Sequence, residues 1–314
     1  MPRRTLHLRA GDVEALGPER AVAAIGEALR GGLDPEASLP RSVIDVDHGQ
    51  LLLMPAQTRG HVGVKVATIA PANPSRGRPR IQGLYALHDA DTLELVALLD
   101  GTALTTLRTP AVSVAAGLTR LRRLAAAGPA GLRVVVFGAG PQGESHAATL
   151  KAHVPVCRLT VVTRHTGPPP AWADERLAND DPSVTERVRA AHVVVAATTA
   201  RAPLFDGGLV RDDALVIAVG SHEPDARELD GALLSRATVV VETREVAARE
   251  AGDVILAVRD GHLTLEALVP LAEHVRADGA DPGSAAYDRP LVVKTSGMGW
   301  EDLVVAVAVY EKAR

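Results

Sequence analysis

Through the first third of the chain, apolar residues alternate with polar ones; beyond about residue 130 they come instead in short unbroken runs. The early part opens with a helix-spaced segment, residues 18–29, whose apolar positions recur every three or four residues until Gly31-Gly32 stops it. Strand-like stretches follow at 42–46, 51–54, 62–69, 83–88 and 95–99, with turn chemistry at Asn73-Pro74 and Asp100-Gly101. A long helix is predicted over about 102–123, and Ala126-Ala127-Gly128-Pro129-Ala130-Gly131 breaks the pattern after it.

Past that break, β-branched runs at 134–137, 159–162, 193–195, 215–219 and 239–241 alternate with helical stretches. A strand covered by helices on both faces has no polar side to show, so fully apolar runs spaced in this way predict a parallel sheet. The expected fold is α/β: a doubly wound parallel sheet over 119–289, preceded by a mixed α+β domain over 1–118. The last segment, 290–314, carries a strand-like run and an apolar helix, and is expected to return to the first domain. Gly167-Pro168-Pro169-Pro170 reads as a surface loop, and no repeat of solenoid period is present.

Length agrees with two domains, since 314 residues exceed what one growing core usually accommodates. A formal charge of −4, with both signs interspersed and no basic block, points away from nucleic acid. The one cysteine, Cys157, cannot close an internal disulfide and sits in a strand-like run, so it reads as a structural thiol in a reducing compartment. Met1-Pro2-Arg3-Arg4 leads into Leu6-His7-Leu8-Arg9 and not into a signal-length apolar run, and no uninterrupted apolar stretch is long enough to span a bilayer. The expectation is a soluble, cytoplasmic protein without a membrane partner.

The clearest chemical signal follows the first apolar run of the second domain. Gly138-Ala139-Gly140-Pro141-Gln142-Gly143 is a G-x-G-x-x-G turn between a predicted strand and a predicted helix. Gly138 serves the tight turn, Gly140 lets the backbone approach a pyrophosphate, and Gly143 lets helix pack on strand; the helix start then presents its N–H groups to the phosphates. This context predicts a Rossmann dinucleotide site. An Asp or Glu ending the next strand would bind the ribose hydroxyls of NAD(H), but Thr163-Arg164-His165 stand there instead. Arg164 suits a 2′-phosphate, with Thr163 and His165 as further donors, so NADP(H) is preferred and NAD(H) remains open.

Three cations of the first domain sit in apolar or tightly turned settings: Arg41 after Leu39-Pro40, Lys65 within His61-Val62-Gly63-Val64-Lys65-Val66-Ala67, and Arg108 within Leu104-Thr105-Thr106-Leu107-Arg108-Thr109-Pro110. Converging, they would make a pocket for a carboxylate; singly, each also reads as half of a structural ion pair.

At these residues the chain resembles the ornithine cyclodeaminase and μ-crystallin family. The likeness rests on Gly63-Val64-Lys65, the run from Leu99-Asp100-Gly101-Thr102 to Leu107-Arg108-Thr109, the glycine turn, and Gly220 through Pro224-Asp225 to Glu228-Leu229-Asp230. It implies a homodimer, substrate contacts from Arg41, Lys65 and Arg108, and approaches to the cofactor from Arg108, Thr109, Thr198, Gly220 and Thr295. Cyclodeaminases of the family carry a catalytic Asp two residues after the glycine that ends the fifth Rossmann strand. Here Gly220-Ser221-His222 puts His222 at that position, with Asp225 three residues further on. The resemblance therefore favours the imine-reductase branch: reduction of a cyclic C=N bond α to a carboxylate, reversible as an amino-acid dehydrogenase, with Lys65 as the catalytic donor. His222 reads either as a second proton donor or as a loop histidine without catalytic duty. An ornithine cyclodeaminase, and a non-catalytic NADPH-dependent binder of a small ligand, stand as alternatives.

Overall fold

The computed structural model describes residues 5–128, 130–278 and 288–314, so the N-terminal Met1-Pro2-Arg3-Arg4 and Pro129 of the expected break lie outside the described residues. Two units separate: Met1–Val112 with Gly297–Arg314, and Ser113–Ser296. The sequence reading placed these divisions at 118/119 and 289/290. The first falls inside one uninterrupted helix, where composition marks no break.

In the first unit, β1 (Leu6–Leu8) and the helices α1 (Ala10–Glu14) and α2 (Pro18–Arg30) precede a meander of β2 (Ser42–Val46), β3 (Gly49–Gln57), β4 (His61–Ile69), β5 (Ile81–Asp89) and β6 (Leu95–Asp100). The six strands order as β1-β6-β5-β4-β3-β2; β1 runs parallel to β6 and the other pairs are antiparallel. Helix α3 (Gly101–Ala127) starts directly from β6 because Asp100 Oδ1 accepts the N–H groups of Thr102 and Ala103, supplying the cap. The chain's last helix, α10 (Gly299–Ala313), packs on β3, β4 and β5 and against α2.

Period-two alternation gives this sheet two unlike faces. Leu52, Met54, Lys65, Ala67 and Tyr85 are buried on the side that α10 covers. The opposite side is apolar as well: cross-strand partners bring Ile44 beside Leu51, Leu53 beside Val66, and Val66 beside Leu84. On it Ile44 is 45% and Leu84 48% exposed, which departs from the usual solvated polar face of an antiparallel sheet.

The second unit is built on β7 (Leu132–Phe137), α4 (Pro141–His153), β8 (Val156–Thr163), β9 (Glu175–Ala178), α5 (Ser183–Ala190), β10 (Val193–Ala196) and β11 (Leu215–Ala218). It continues through α6 (Gly231–Arg236), β12 (Thr238–Val241), α7 (Arg244–Glu250), α8 (Gly252–Arg259), β13 (Val269–Pro270), α9 (Leu271–Asp278) and β14 (Leu291–Lys294). Eight strands, all parallel, order as β13-β12-β14-β11-β10-β7-β8-β9. Strands β7, β10, β11 and β14 are buried almost throughout, as their unbroken apolar runs require. The run at Leu291–Lys294 belongs to this sheet, so the segment returning to the first unit begins at Gly297 and is shorter than the expected 290–314. Cys157 is in β8 but exposed, its thiol turned to the Gly131 carbonyl, so it is not a core thiol. Among the described residues no helix is long and apolar enough to cross a membrane.

Candidate active site and dinucleotide cradle

In the first unit, alternation along β4 puts Gly63, Lys65 and Ala67 on the covered face, and register sets Tyr85 of β5 directly opposite Lys65. The opening turns of α3 add Thr105 and Arg108, while the first turn of α10 adds Glu301 and Asp302. Lys65 Nζ lies 2.8 Å from Asp302 Oδ2 and donates to Oδ1 at 3.0 Å and to Thr105 Oγ1 at 3.3 Å. Arg108 donates from Nε to Asp302 at 3.2 Å and from a terminal nitrogen to Glu301 at 2.5 Å. Both carboxylate side chains are fully buried, and those of Lys65 and Arg108 are only 4% and 7% exposed.

The turn before α10 completes the cluster. Gly297 has φ +88°, and a Cβ there would stand 2.7 Å from an Arg108 nitrogen. The same glycine's carbonyl accepts from Arg41 at 3.4 Å. Arg41, Lys65 and Arg108, chosen from scattered positions in the sequence, thus gather around residues 297–302. The structure alters the expected picture in one respect: Lys65 and Arg108 already hold two protein carboxylates. An ammonium and two guanidinium groups gathered in a largely buried site suit an incoming carboxylate, which a guanidinium fork can bind through two bonds.

Burial lowers the pKa of Lys65; Asp302 opposes that shift and Arg108 reinforces it. Tyr85 is fully buried, and its phenol is raised well above the ordinary value by burial and then by the Asp302 charge. Its phenol lies where any side chain at position 63 would have to go, the hydroxyl oxygen 2.2 Å and the nearest ring carbons 2.6 Å from the Cβ that Gly63 lacks, so Gly63 is what admits it. Tyr85, Glu301 and Asp302 escaped the sequence reading. Glu301-Asp302, two acids opening an otherwise apolar helix, was the available signal, but first-turn acids also serve the helix dipole.

The second unit holds the glycine turn. Gly138 has φ +105°; a Cβ there would meet the Ala197 carbonyl oxygen at 2.4 Å, and one on Gly143 would meet that of Gly138 at 2.1 Å. Gly140 is the N-cap of α4, with no side-chain cap bond and nothing within 4 Å of where a Cβ would stand. Ala139, Pro141 and Gln142 complete the turn, and the cradle fits a pyrophosphate seated on the N–H groups of α4.

Thr163 ends β8, and Arg164 and His165 follow it, both exposed. The Thr163 hydroxyl is not a spare donor: it donates to the His165 carbonyl at 2.7 Å and accepts from Arg176 Nε at 2.9 Å. Arg176, on β9, is a further cation at this edge that sequence reading did not single out. Thr198, Gly220 and Thr295 follow β10, β11 and β14, so they line up with the glycine turn along the carboxyl edge of four adjacent strands, β14-β11-β10-β7. His222 is half-buried in the second unit, its Nδ1 3.3 Å from the Gly220 carbonyl, and Asp225 pairs with Arg201. Thr109 is buried in α3 of the first unit, bonded to the Thr105 carbonyl. Among the described residues, no group of three or more His, Cys, Asp or Glu could hold a metal ion.

A family model described as the ornithine cyclodeaminase/mu-crystallin family matches residues 12–314. Ketimine reductase mu-crystallin of Mus musculus is 31% identical over 312 residues, spanning 97% of this chain and 93% of the relative. The Delta(1)-pyrroline-2-carboxylate/Delta(1)-piperideine-2-carboxylate reductase of Azospirillum brasilense is 31% identical over 293 residues, 90% of this chain and 87% of that one. Thermococcus litoralis Delta(1)-pyrroline-2-carboxylate reductase, solved with NADH and L-proline, superposes with a TM-score of 0.82 at 24% identity, over 98% of this chain and 97% of that chain, a likeness of fold.

Proposed function

This chain belongs to the ornithine cyclodeaminase/mu-crystallin family, and from that premise we propose that it is an NAD(P)H-dependent reductase of cyclic imines that carry a carboxylate beside the C=N carbon. The observation that carries this reading is the nearly dry Lys65–Arg108–Asp302–Glu301 cluster with Arg41 beside it on the Gly297 carbonyl. Arg41 and Arg108 hold the substrate carboxylate. Lys65 donates the proton from Nζ to the imine nitrogen: burial lowers its pKa, and Asp302 keeps the ammonium in place until the transfer. The dinucleotide is held by the 138–143 turn and the ends of β8, β10, β11 and β14. When bound, its reduced nicotinamide supplies hydride to the imine carbon. His222 in place of the cyclodeaminase aspartate removes the carboxylate that a deaminating cycle would use, and leaves proton donation by Lys65 unaffected.

NADPH is the preferred cofactor. Support comes from Arg164 just after β8, Arg176 bonded to the Thr163 hydroxyl, and the absence of an acidic residue at Thr163-Arg164-His165. Arg164→Asp should move the NADPH/NADH preference toward NADH by about tenfold or more; kcat/KM for both cofactors measures it, and unchanged selectivity would overturn the role of Arg164. The enzyme works as a homodimer, a reading supported by the apolar, partly exposed face of the first unit's sheet.

The deciding experiment supplies Δ1-pyrroline-2-carboxylate and Δ1-piperideine-2-carboxylate with NADPH, and separately ornithine with NAD. Net NADPH consumption with the imino acids is expected. Ammonia release from ornithine without net cofactor turnover, and no imine reduction, would replace this reading with the cyclodeaminase one.

A further inference from the structure

The segment Glu228-Leu229-Asp230 carries part of the family likeness, and Glu228 lies outside both the cation cluster and the glycine turn. Its side chain is completely buried. Oε1 accepts from the Thr198 N–H and the Thr198 hydroxyl, each at 2.7 Å, and Oε2 accepts from the Gly220 N–H at 2.7 Å. One carboxylate therefore bridges the connection after β10 to the connection after β11.

A second carboxylate and an ammonium extend the bridge. Asp253, at the start of α8 and fully buried, accepts the N–H groups of Glu228 and Leu229 at 2.7 and 2.8 Å. Lys294, closing β14 and also buried, lies 3.5 Å from Asp253 and donates to the carbonyls of Ser221 and Thr295. Burial pushes the Glu228 carboxyl up, Lys294 opposes that shift, and Asp253 adds to it. Burying three charges is expensive, and a well-packed apolar cluster would usually hold the same backbone at lower cost. What charge offers here is geometry: a carboxylate bonded at both ends sets a fixed spacing between two strands' outgoing loops.

That spacing reaches the phosphate turn. A Cβ on Gly138 would stand 2.4 Å from the Ala197 carbonyl oxygen and 3.3 Å from the Thr198 methyl, so the 197–198 backbone is the wall against which the first glycine of the turn rests. A Cβ on Gly220 would lie 2.1 Å from the Thr198 carbonyl and 2.5 Å from Glu228 itself, so neither loop has slack. We propose that Glu228 is a positioning residue for the dinucleotide: by clamping Thr198 to Gly220 it holds the Ala197–Thr198 wall against Gly138, so that the pyrophosphate cradle stands preformed.

This rests on the dinucleotide reading, but not on the identity of the imino acid. The test is therefore binding of NADPH and of NADH to the purified chain by titration calorimetry, with no imino acid present. Glu228→Gln keeps the volume but can accept at only one end, leaving one buried N–H facing an amide NH2. Both cofactors should bind about tenfold or more weakly, and by the same factor, because the pyrophosphate is common to them. In turnover the apparent cofactor KM should rise likewise, while kcat at saturating cofactor and the imino-acid KM change far less. Wild-type affinity in a folded Glu228→Gln overturns the proposal, as does weakening confined to NADPH, which would assign Glu228 to the 2′-phosphate. Should Glu228→Gln fail to fold, Thr198→Val, which deletes the hydroxyl's bonds to Glu228 and to the Ala200 N–H but keeps the Thr198 N–H bond to Glu228, takes its place: several-fold weaker binding of both cofactors supports the clamp and unchanged binding overturns it. A wild-type chain that binds neither cofactor would defeat the dinucleotide reading itself. One that binds both but reduces no imine would defeat only the reaction.

Discussion

Lys65 shows how far one residue could be read in advance and where reading stopped. Its placement in a small apolar strand announced a cation with a task, because lysine is rarely buried without one. Its partner was hidden: Asp302 lies 237 positions away, and no local pattern links the two. The pairing sharpens the prediction for Lys65→Met. Stem volume is kept and every donor lost, so turnover of the best imino acid should fall by roughly a hundredfold or more while NADPH affinity is unchanged. Removing one partner also leaves Asp302 with Arg108 as its remaining cation, so the melting temperature should drop. Near-normal turnover would make Lys65 structural and move the proton to His222 or a water. Arg108→Lys tests the neighbouring cation. A single ammonium cannot serve Glu301, Asp302 and a substrate carboxylate together, so the imino-acid KM should climb steeply with a smaller effect on kcat. Unaltered KM would take Arg108 out of substrate binding.

Among the elements, those enclosed on both faces were legible, while three of the four edge strands were not. The buried strands β7, β10, β11 and β14 declare themselves as unbroken apolar runs, since both their faces meet helices. Strand β9, Glu175–Ala178, borders only β8 and carries Glu175 and Arg176, so it has no apolar run to predict it. Strand β13 is two residues long, and β1 three, too short for any periodicity to register. Helix α4 bears on acid stability. His146 is fully buried there, with Nδ1 2.7 Å from the Gln142 carbonyl and Nε2 3.2 Å from Ser113 Oγ, and burial lowers its pKa to about 4 from 6.5. As pH falls below about 6.5 the unfolded chain takes up a proton that the folded one refuses. Stability present above that pH is then lost progressively toward pH 4, by up to about 3 kcal/mol. Urea melts at about pH 7.5 and about pH 5 should show that loss in the native chain and a shallower one in His146→Gln. Parallel losses in both would clear His146 of the effect.

At the scale of the whole molecule, the division into a cation-bearing unit and a dinucleotide unit was visible in the change of apolar rhythm, although the boundary inside α3 was not. Among the described residues α10 covers one side of the six-stranded sheet, and the other side, with Ile44, Leu51, Leu53, Val66 and Leu84, is apolar and leaves Ile44 and Leu84 exposed. Placing two charges there, as in Ile44→Glu with Leu84→Glu, should convert a dimer to monomers in light scattering coupled to size exclusion. A native chain that already runs as a monomer at micromolar concentration would refute the dimer. If a second copy supplies the missing cover, the sheet that carries Lys65 completes its core only by mass action, and the enzyme's own dilution becomes a variable of its activity. Specific activity should then decline on dilution below the dissociation constant. Adding an excess of the inactive Lys65→Met chain should restore it, because a subunit unable to react can still shield the sheet of one that can.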